Sequence, residues 1–262
     1  MMVLRIALGL LAAGLIVVIG APVRWMAIWR GWKTGEGLPV LLHRINCAAL
    51  GVRIRVHGQA ASVRPLLVVS NHISWLDIPI LAAVRPVEFL AKKEIGARRL
   101  ARALLSLQGV ALVDRSRRTG IPAVNAEIAR RMRGGAAVVL FAEGTTGDAN
   151  RLLRFRSSHF EAVRQTLEAG CGGQAVVQPV FIAYSRRVGM PLGRSDRPLV
   201  AWYGDMQFFS HFWRLLGAGG IDCDVYCGAP IPFFRDSDRK DVARRVEGAV
   251  RAMALAARGQ AL

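Results

Sequence analysis

Residues 66–77 read LLVVSNHISWLD. The apolar run at 66–69 predicts a buried strand, and the serine and Asn71 that follow favour caps and turns, so the strand ends there. His72 and Asp77 come next, with four residues between them. A carboxylate that holds one ring nitrogen of a histidine fixes its tautomer, and the other nitrogen can take a proton from a hydroxyl. The stretch predicts a strand that is followed directly by a paired His72 and Asp77. The alternative is the start of a surface helix, with a capping Asn71 and an incidental histidine.

Short apolar runs recur along the chain and alternate with stretches of helical periodicity. The predicted strands lie at 52–56, 66–69, 87–90, 110–113, 136–141, 175–184 and 221–227, and the predicted helices at 97–107, 122–133 and 237–258. This alternation favours a mostly parallel sheet covered by helices. We therefore expect an α/β fold, with the active residues on loops at the ends of the strands.

An uncharged apolar run at residues 6–23 precedes this pattern. It barely spans a bilayer core of about 30 Å, and the Trp- and Arg-rich residues 24–33 after it are typical of an interfacial belt. The run predicts a membrane anchor, with a cleaved signal peptide as the main alternative. A second patch at 38–52 is too short to span, so a spanning anchor and a monotopic helix pair both stay open. We place an N-terminal membrane-anchoring helical region at 1–50 and the α/β domain at 51–262.

The chain is strongly basic and unusually apolar. Lys and Arg total 36 against 18 Asp and Glu, a net charge of +18, and 53% of the residues are hydrophobic. A basic chain needs an anionic partner, and the apolar excess favours a membrane surface over nucleic acid. More basic residues follow the apolar run than precede it, which puts the rest of the chain in the cytoplasm if the run spans. Of the scattered cysteines only Cys223 and Cys227 are close, so we expect reduced thiols and no metal site.

A second polar loop follows an apolar strand at residues 138–158, which read VVLFAEGTTGDANRLLRFRSS. The strand ends in Glu143 and is followed by a glycine, hydroxyl side chains and three arginines within six residues, Arg151, Arg154 and Arg156. Such a loop suits an anion, although a Gly-Thr-Thr-Gly-Asp segment alone is also an ordinary turn.

Five segments together carry a family resemblance. They are Asn71-His72-x4-Asp77, Ala91–Ile95 (AKKEI), Gly109–Arg115 (GVALVDR), Phe141–Thr145 (FAEGT) and Val177–Val180 (VQPV). In order and spacing they resemble the glycerolipid acyltransferases, specifically the bacterial 1-acylglycerol-3-phosphate acyltransferases, over roughly residues 45–230. The resemblance implies the glycerolipid acyltransferase fold and makes residues 51–262 an acyltransferase domain.

The resemblance also implies roles for individual residues. His72 is expected to deprotonate the free hydroxyl of a lysolipid and Asp77 to orient and charge-balance it, after which the alkoxide attacks an acyl thioester without an acyl-enzyme. The residues expected to hold the acceptor head are Lys92, Lys93, Arg115, Glu143, Gly144, Thr145 and Arg151.

The chain departs from the family pattern at two positions. The proline usual before the glutamate is Ala142 here, which changes only the stiffness of the loop. Phosphatidate-forming members commonly carry an arginine after Glu-Gly-Thr, where this chain has Thr146, so one phosphate ligand is either missing or replaced by Arg151, Arg154 or Arg156. The Glu-Gly-Thr-Thr-Gly-Asp segment resembles the branch that includes lyso-ornithine-lipid acyltransferases.

The expected function is therefore acyl transfer to 1-acyl-sn-glycerol-3-phosphate, which gives phosphatidic acid for membrane lipid synthesis. Lyso-ornithine lipid is the alternative acceptor, and a basic membrane-surface binding protein without catalysis is the alternative of another class. We expect no cofactor beyond the acyl donor, which is a thioester of acyl carrier protein or of CoA. The expected partners are membrane lipids, a lysophospholipid and that thioester, without nucleic acid. The expected place is the bacterial inner membrane, with the catalytic domain facing the cytoplasm.

Overall fold

The computed structural model describes residues 37–92, 110–113, 120–170 and 172–259, together with isolated positions between 7 and 30. The predicted anchor at 6–23 lies outside the described residues apart from such isolated positions. The predicted helix at 97–107, Lys93 and Arg115 lie outside them as well, as does the side chain of Lys92. Among the described residues, no helix combines the length and the apolar character needed to cross a bilayer.

A central sheet organises the described part of the chain. The strands of this part are β1 (Val52–His57), β2 (Leu66–Ser70), β3 (Phe89–Lys92), β4 (Val110–Val113), β5 (Ala137–Phe141), β6 (Gln174–Arg187), β7 (Met190–Pro191), β8 (Ile221–Cys227) and β9 (Ile231–Phe234). The central sheet has the strand order β1-β8-β6-β2-β5, and β7 and β9 pair with β6. Strands β3 and β4 form a separate parallel pair.

The predicted α/β fold with a mostly parallel sheet is confirmed. Strand β2 pairs in parallel with β5 on one side and with β6 on the other, and β1 is parallel to β8. Every antiparallel pair within the described residues involves β6. This strand is much longer than β2, so its second half continues past β2 and pairs with β8 instead.

Helices cover both faces of the sheet. They are α1 (Gly37–Ala49), α2 (Asp77–Val84), α3 (Gly120–Arg133), α4 (Glu161–Glu168), α5 (Phe208–Gly217) and α6 (Arg239–Gly259). Successive side chains of β2 point to opposite faces and are buried on both. Leu66 and Val68 join one core, with α1 and α2, while Leu67 and Val69 join the other, with α3, α4 and α6.

Helix α1 occupies most of the second apolar patch of the sequence. It packs against α2 and contributes Cys47 to the core beside β8. The residues just before the proposed boundary near residue 50 are therefore packed together with the α/β domain. The division into regions 1–50 and 51–262 stays a prediction.

Candidate active site

His72 is the second residue after β2, at the end of the sheet where the parallel strands β2 and β5 terminate beside β6. Its Nδ1 lies 2.8 Å from Asp77 Oδ2. The imidazole stacks on Phe141, the last residue of β5, with 3.9 Å between ring centroids and 9° between planes. Asp77 is the first residue of α2, so the short loop between strand and helix folds the carboxylate back onto the ring. The side chain of His72 is 19% exposed, and it reaches solvent from the rim of a cleft.

Asp77 is completely buried and accepts four hydrogen bonds. Its Oδ2 receives His72 Nδ1 and the backbone amides of Ile73, at 2.6 Å, and Ser74, at 2.9 Å. Its Oδ1 receives the hydroxyl of Tyr184 at 2.7 Å. Burial, together with the charge of Asp77, raises the pKa of Tyr184 well above its usual value, so this hydroxyl stays a donor. The carboxylate is therefore fixed in place, and it fixes the ring of His72 in turn.

Asn71 anchors the loop to the sheet rather than capping a helix. Its side-chain amide donates to the carbonyl of Ile182 at 3.0 Å, and its Oδ1 accepts from the amide of Ile182 at 2.8 Å. This pair of bonds holds the chain beside β6 after β2 has ended. Helix α2 begins six residues later at Asp77, which rules out the alternative of a helix capped by Asn71.

Glu143 is buried between the two polar loops that the sequence singled out. Its Oε2 accepts from the backbone amide of His72 at 2.8 Å, and its Oε1 accepts from the amide of Leu153 at 2.8 Å. Burial raises the pKa of Glu143 to about 7, while these two amides act in the opposite direction. The carboxyl group thus ties the loop of His72 to the loop that bears Arg151.

Replacing Glu143 by glutamine tests this tie. Glutamine has one acceptor oxygen, so the amide of His72 or of Leu153 would face an NH2 group. We expect the free energy of unfolding to fall by about 1–3 kcal/mol and kcat to fall with it, because the position of His72 loosens. Urea unfolding and initial rates check this, with the exposed Glu168→Gln as control. Equal stability of Glu143→Gln and wild type would contradict the tie.

A cleft of about 700 Å³, including its opening to solvent, lies in front of His72. One part of its wall is apolar and comes from β6 and from the end of α6, with Phe181, Ala183, Ala254 and Ala257. The other part is cationic, with Arg151 and Arg197. A pocket with these two parts fits a molecule that carries both an apolar chain and an acidic group.

The predicted binding residues are distributed unevenly around this cleft. Glu143 and Arg151 line it, whereas Gly144 and Thr145 lie exposed in the turn after β5. Gly144 has φ +75°, and a Cβ there would lie 3.2 Å from Arg156 Nε, so the turn requires glycine and seats that arginine against it. The acceptor-binding roles of Lys92, Lys93 and Arg115 stay predictions.

Sequence reasoning missed two residues of the site. Tyr184 reaches Asp77 from the far half of β6, and the only signal for it was a tyrosine in an apolar strand. Arg197 enters the cleft from a short 3-10 turn, Arg197–Leu199, in a segment that showed no motif. Its guanidinium reaches the side chain of Asn150 at 3.5 Å, which places it beside the loop of Arg151.

Comparison with known proteins gives a family that agrees with this site and this fold. The family model described as Acyltransferase matches residues 53–183, which include His72, Asp77 and Glu143, and the chain belongs to this family. The predicted resemblance is thereby confirmed.

Three known proteins illustrate the similarity. The chain is 42% identical to the lyso-ornithine lipid O-acyltransferase of Brucella abortus, over 87% of this chain and 85% of the relative. It is 29% identical to the 1-acyl-sn-glycerol-3-phosphate acyltransferase of Neisseria meningitidis, over 87% of this chain and 90% of the relative. Among solved structures, the 1-acyl-sn-glycerophosphate acyltransferase of Thermotoga maritima superposes with a TM-score of 0.61 at 17% identity, covering 96% of this chain and 94% of the other.

Proposed function

We propose that the protein transfers a fatty acyl group from a thioester to the free hydroxyl of a lysolipid. The observation that carries this proposal is the buried Asp77 bonded to Nδ1 of His72 at the rim of a cleft that is part apolar and part cationic. Because Asp77 holds Nδ1, the opposite ring nitrogen, Nε2, is the one that can act on a hydroxyl in the cleft. A non-catalytic binding protein has no need for such a pair.

The acyl group passes directly from the thioester to the acceptor. Nε2 of His72 takes the proton of the acceptor hydroxyl, and the oxygen attacks the thioester carbonyl carbon. The carbon–sulfur bond breaks, and the imidazolium gives this proton to the leaving thiolate. An ester and a free thiol result, and His72 returns to its starting state. Asp77 stabilises the imidazolium while it exists.

We propose lyso-ornithine lipid as the acceptor and lysophosphatidate as the second candidate. The Brucella relative, which is named for the first acceptor, is more similar than the Neisseria relative, which is named for the second. Lysophosphatidate is the acceptor favoured by the shared sequence segments. The two arginines in the cleft also suit its phosphate. The ammonium of ornithine needs a carboxylate, and both oxygens of Glu143 already accept backbone amides. Asp148, in the loop of Arg151, accepts the amides of Asn150 and Arg151 on Oδ1, so we propose its Oδ2 as the partner of the ammonium.

A panel of lysolipids separates the acceptors. Purified protein is given lyso-ornithine lipid or lysophosphatidate at equal concentration, each with an acyl carrier protein thioester and with acyl-CoA as donor. We expect lyso-ornithine lipid to react at least about ten-fold faster, a transition-state preference of about 1.4 kcal/mol. The reverse ratio would make lysophosphatidate the acceptor.

The same panel tests whether Arg197 binds the acidic group of either acceptor. Arg197→Gln removes a cation from the cleft wall, and we expect the KM for the acceptor to rise about ten-fold while the KM for the thioester stays constant. Arg194→Gln, an exposed arginine of the same segment outside the cleft wall, is the matched control. If both variants raise the KM equally, general surface charge and not Arg197 attracts the acceptor.

We further propose that the protein works at the bacterial inner membrane with its α/β domain in the cytoplasm. This location is supported by the apolar run at 6–23, by the basic residues after it and by the net charge of +18. The thioester of acyl carrier protein and that of CoA are both candidate donors.

A further inference from the structure

Helix α5 presents aromatic side chains to solvent in a row. Its inner face is anchored in the domain by His211, Leu215 and Leu216, which are buried. We call the outer face the aromatic surface. Its members are Phe208, 41% exposed, Phe209, 73% exposed, and Trp213, 66% exposed. Phe209 and Trp213 are one helical turn apart, so they project side by side.

The chemistry of the aromatic surface fits a lipid interface. Exposed Phe and Trp on one side of an amphipathic helix gain free energy by entering the boundary between headgroups and acyl chains. Arg214 is exposed on the same helix, next to Trp213. Aromatic side chains with a neighbouring cation complement a surface that is apolar beneath and anionic at the headgroups.

The hairpin between β6 and β7, which lies at the end of α5, also exposes apolar and basic side chains. Arg187 Nε donates to the carbonyl of Ala218, directly after the helix, at 2.8 Å. The hairpin exposes Val188 and Met190, 68% and 71% exposed, beside the exposed Arg186. Two neighbouring elements thus expose apolar side chains together with arginines.

Two contacts connect α5 to the active site. Trp75, in the loop between His72 and Asp77, donates from Nε1 to His211 Nδ1 at 3.0 Å, and its ring lies 5.2 Å from that of Phe208. Burial lowers the pKa of His211, which keeps its ring neutral and able to accept this bond. On the other side, Arg214 donates to the carbonyl of Pro198 at 3.4 Å, and Pro198 follows Arg197 of the cleft wall.

We infer that α5 docks on the membrane surface through Phe208, Phe209 and Trp213 and seats the cleft against the lipid that holds the acceptor. The inference rests on the proposed function in one respect, because a lysolipid acceptor has to pass from a bilayer into the cleft. It assigns α5 a contact with lipid separate from any contact made by residues 6–23. The occupant is an anionic phospholipid bilayer.

A kinetic comparison in the full chain tests the inference. Phe209→Ser/Trp213→Ser keeps the buried face of α5 and the contact of Phe208 with Trp75. We expect the variant to acylate a lysolipid embedded in phosphatidylcholine–phosphatidylglycerol vesicles at least about ten-fold more slowly than wild type, because docking is lost. A short-chain lysolipid below its micelle concentration should react within about two-fold of wild type, because the chemical step is untouched.

The matched control is Val63→Ser/Ile121→Ser, which removes two other exposed apolar side chains away from α5. It should leave both rates unchanged. Equal slowing of the Phe209/Trp213 variant on both substrates, or no slowing on vesicles, would overturn the inference.

A second measurement does not depend on acyl transfer. An environment-sensitive fluorophore is attached to Trp213→Cys, or to Ala126→Cys on the exposed side of α3, in full-length protein with Cys171 and Cys227 replaced by serine. On the same vesicles, we expect the label at 213 to be quenched by nitroxide lipids and shielded from aqueous iodide, and the label at 126 to show the opposite. Identical quenching at both positions would contradict the docking of α5, even if the proposed reaction is confirmed. A protein that is inactive on every acceptor but shows the expected quenching would contradict the proposed function alone.

Discussion

Replacing His72 by alanine is expected to abolish acyl transfer and to leave the fold intact. The imidazole lies at the rim of the cleft, where it stacks on Phe141 and belongs to neither hydrophobic core, so its removal leaves both cores intact. Asp77 still accepts hydrogen bonds from the amides of Ile73 and Ser74 and from the hydroxyl of Tyr184, so its buried charge stays hydrogen-bonded. Loss of a positioned general base lowers kcat on the order of a hundred-fold or more. Release of free thiol from the donor measures the rate, and circular dichroism measures the fold.

His57 supplies the matched control for this experiment. Its Nε2 lies 2.8 Å from Asp224 Oδ1, so it is also a histidine paired with a carboxylate. It stands at the end of β1 and stacks on Tyr226, outside the wall of the cleft. His57→Ala should keep nearly full activity. Activity of His72→Ala within a few-fold of wild type would refute the mechanism, since another group would then take the proton.

Local sequence patterns predicted the described strands other than β7 and β9, and the His72/Asp77 pair, because both depend on neighbours along the chain. The run at 66–69 is buried on both faces in β2, and the pair sits in the loop directly after it. The antiparallel pairing of β6 with β8 could not be predicted in this way. It arises because β6 extends beyond the end of β2, which is a property of two strands far apart in the sequence.

The roles of the site's side chains were also only partly predictable from the sequence. The motif around Glu143 was found, and the resemblance assigned it to the acceptor pocket, yet its oxygens bind the backbone amides of His72 and Leu153. A carboxylate in a motif does not reveal whether it faces a ligand or a peptide group. Tyr184 and Arg197 belong to no motif, and only the path of β6 and of the 3-10 turn that follows β7 brings them to the site.

Asp77→Asn is expected to lower kcat by about a hundred-fold while the protein remains folded. The two oxygens of Asp77 have different surroundings, which determine how asparagine would sit. Three donors converge on Oδ2, namely His72 Nδ1 and the amides of Ile73 and Ser74, and a single hydroxyl, that of Tyr184, meets Oδ1. The amide oxygen of asparagine therefore takes the place of Oδ2. Its NH2 group points at Tyr184, whose hydroxyl can turn from donor to acceptor.

This orientation isolates the effect of charge. The asparagine oxygen still accepts from Nδ1, so the tautomer of His72 and its position are kept, and what disappears is the negative charge that stabilises the imidazolium in the transition state. We expect kcat to fall while the KM values of thioester and acceptor stay constant. Tyr184→Phe is the complementary control, because it removes one hydrogen bond from Asp77 and keeps the charge, and its kcat should fall only a few-fold. If Tyr184→Phe lowers kcat as much as Asp77→Asn does, the carboxylate acts through its hydrogen-bonded position and not through its charge.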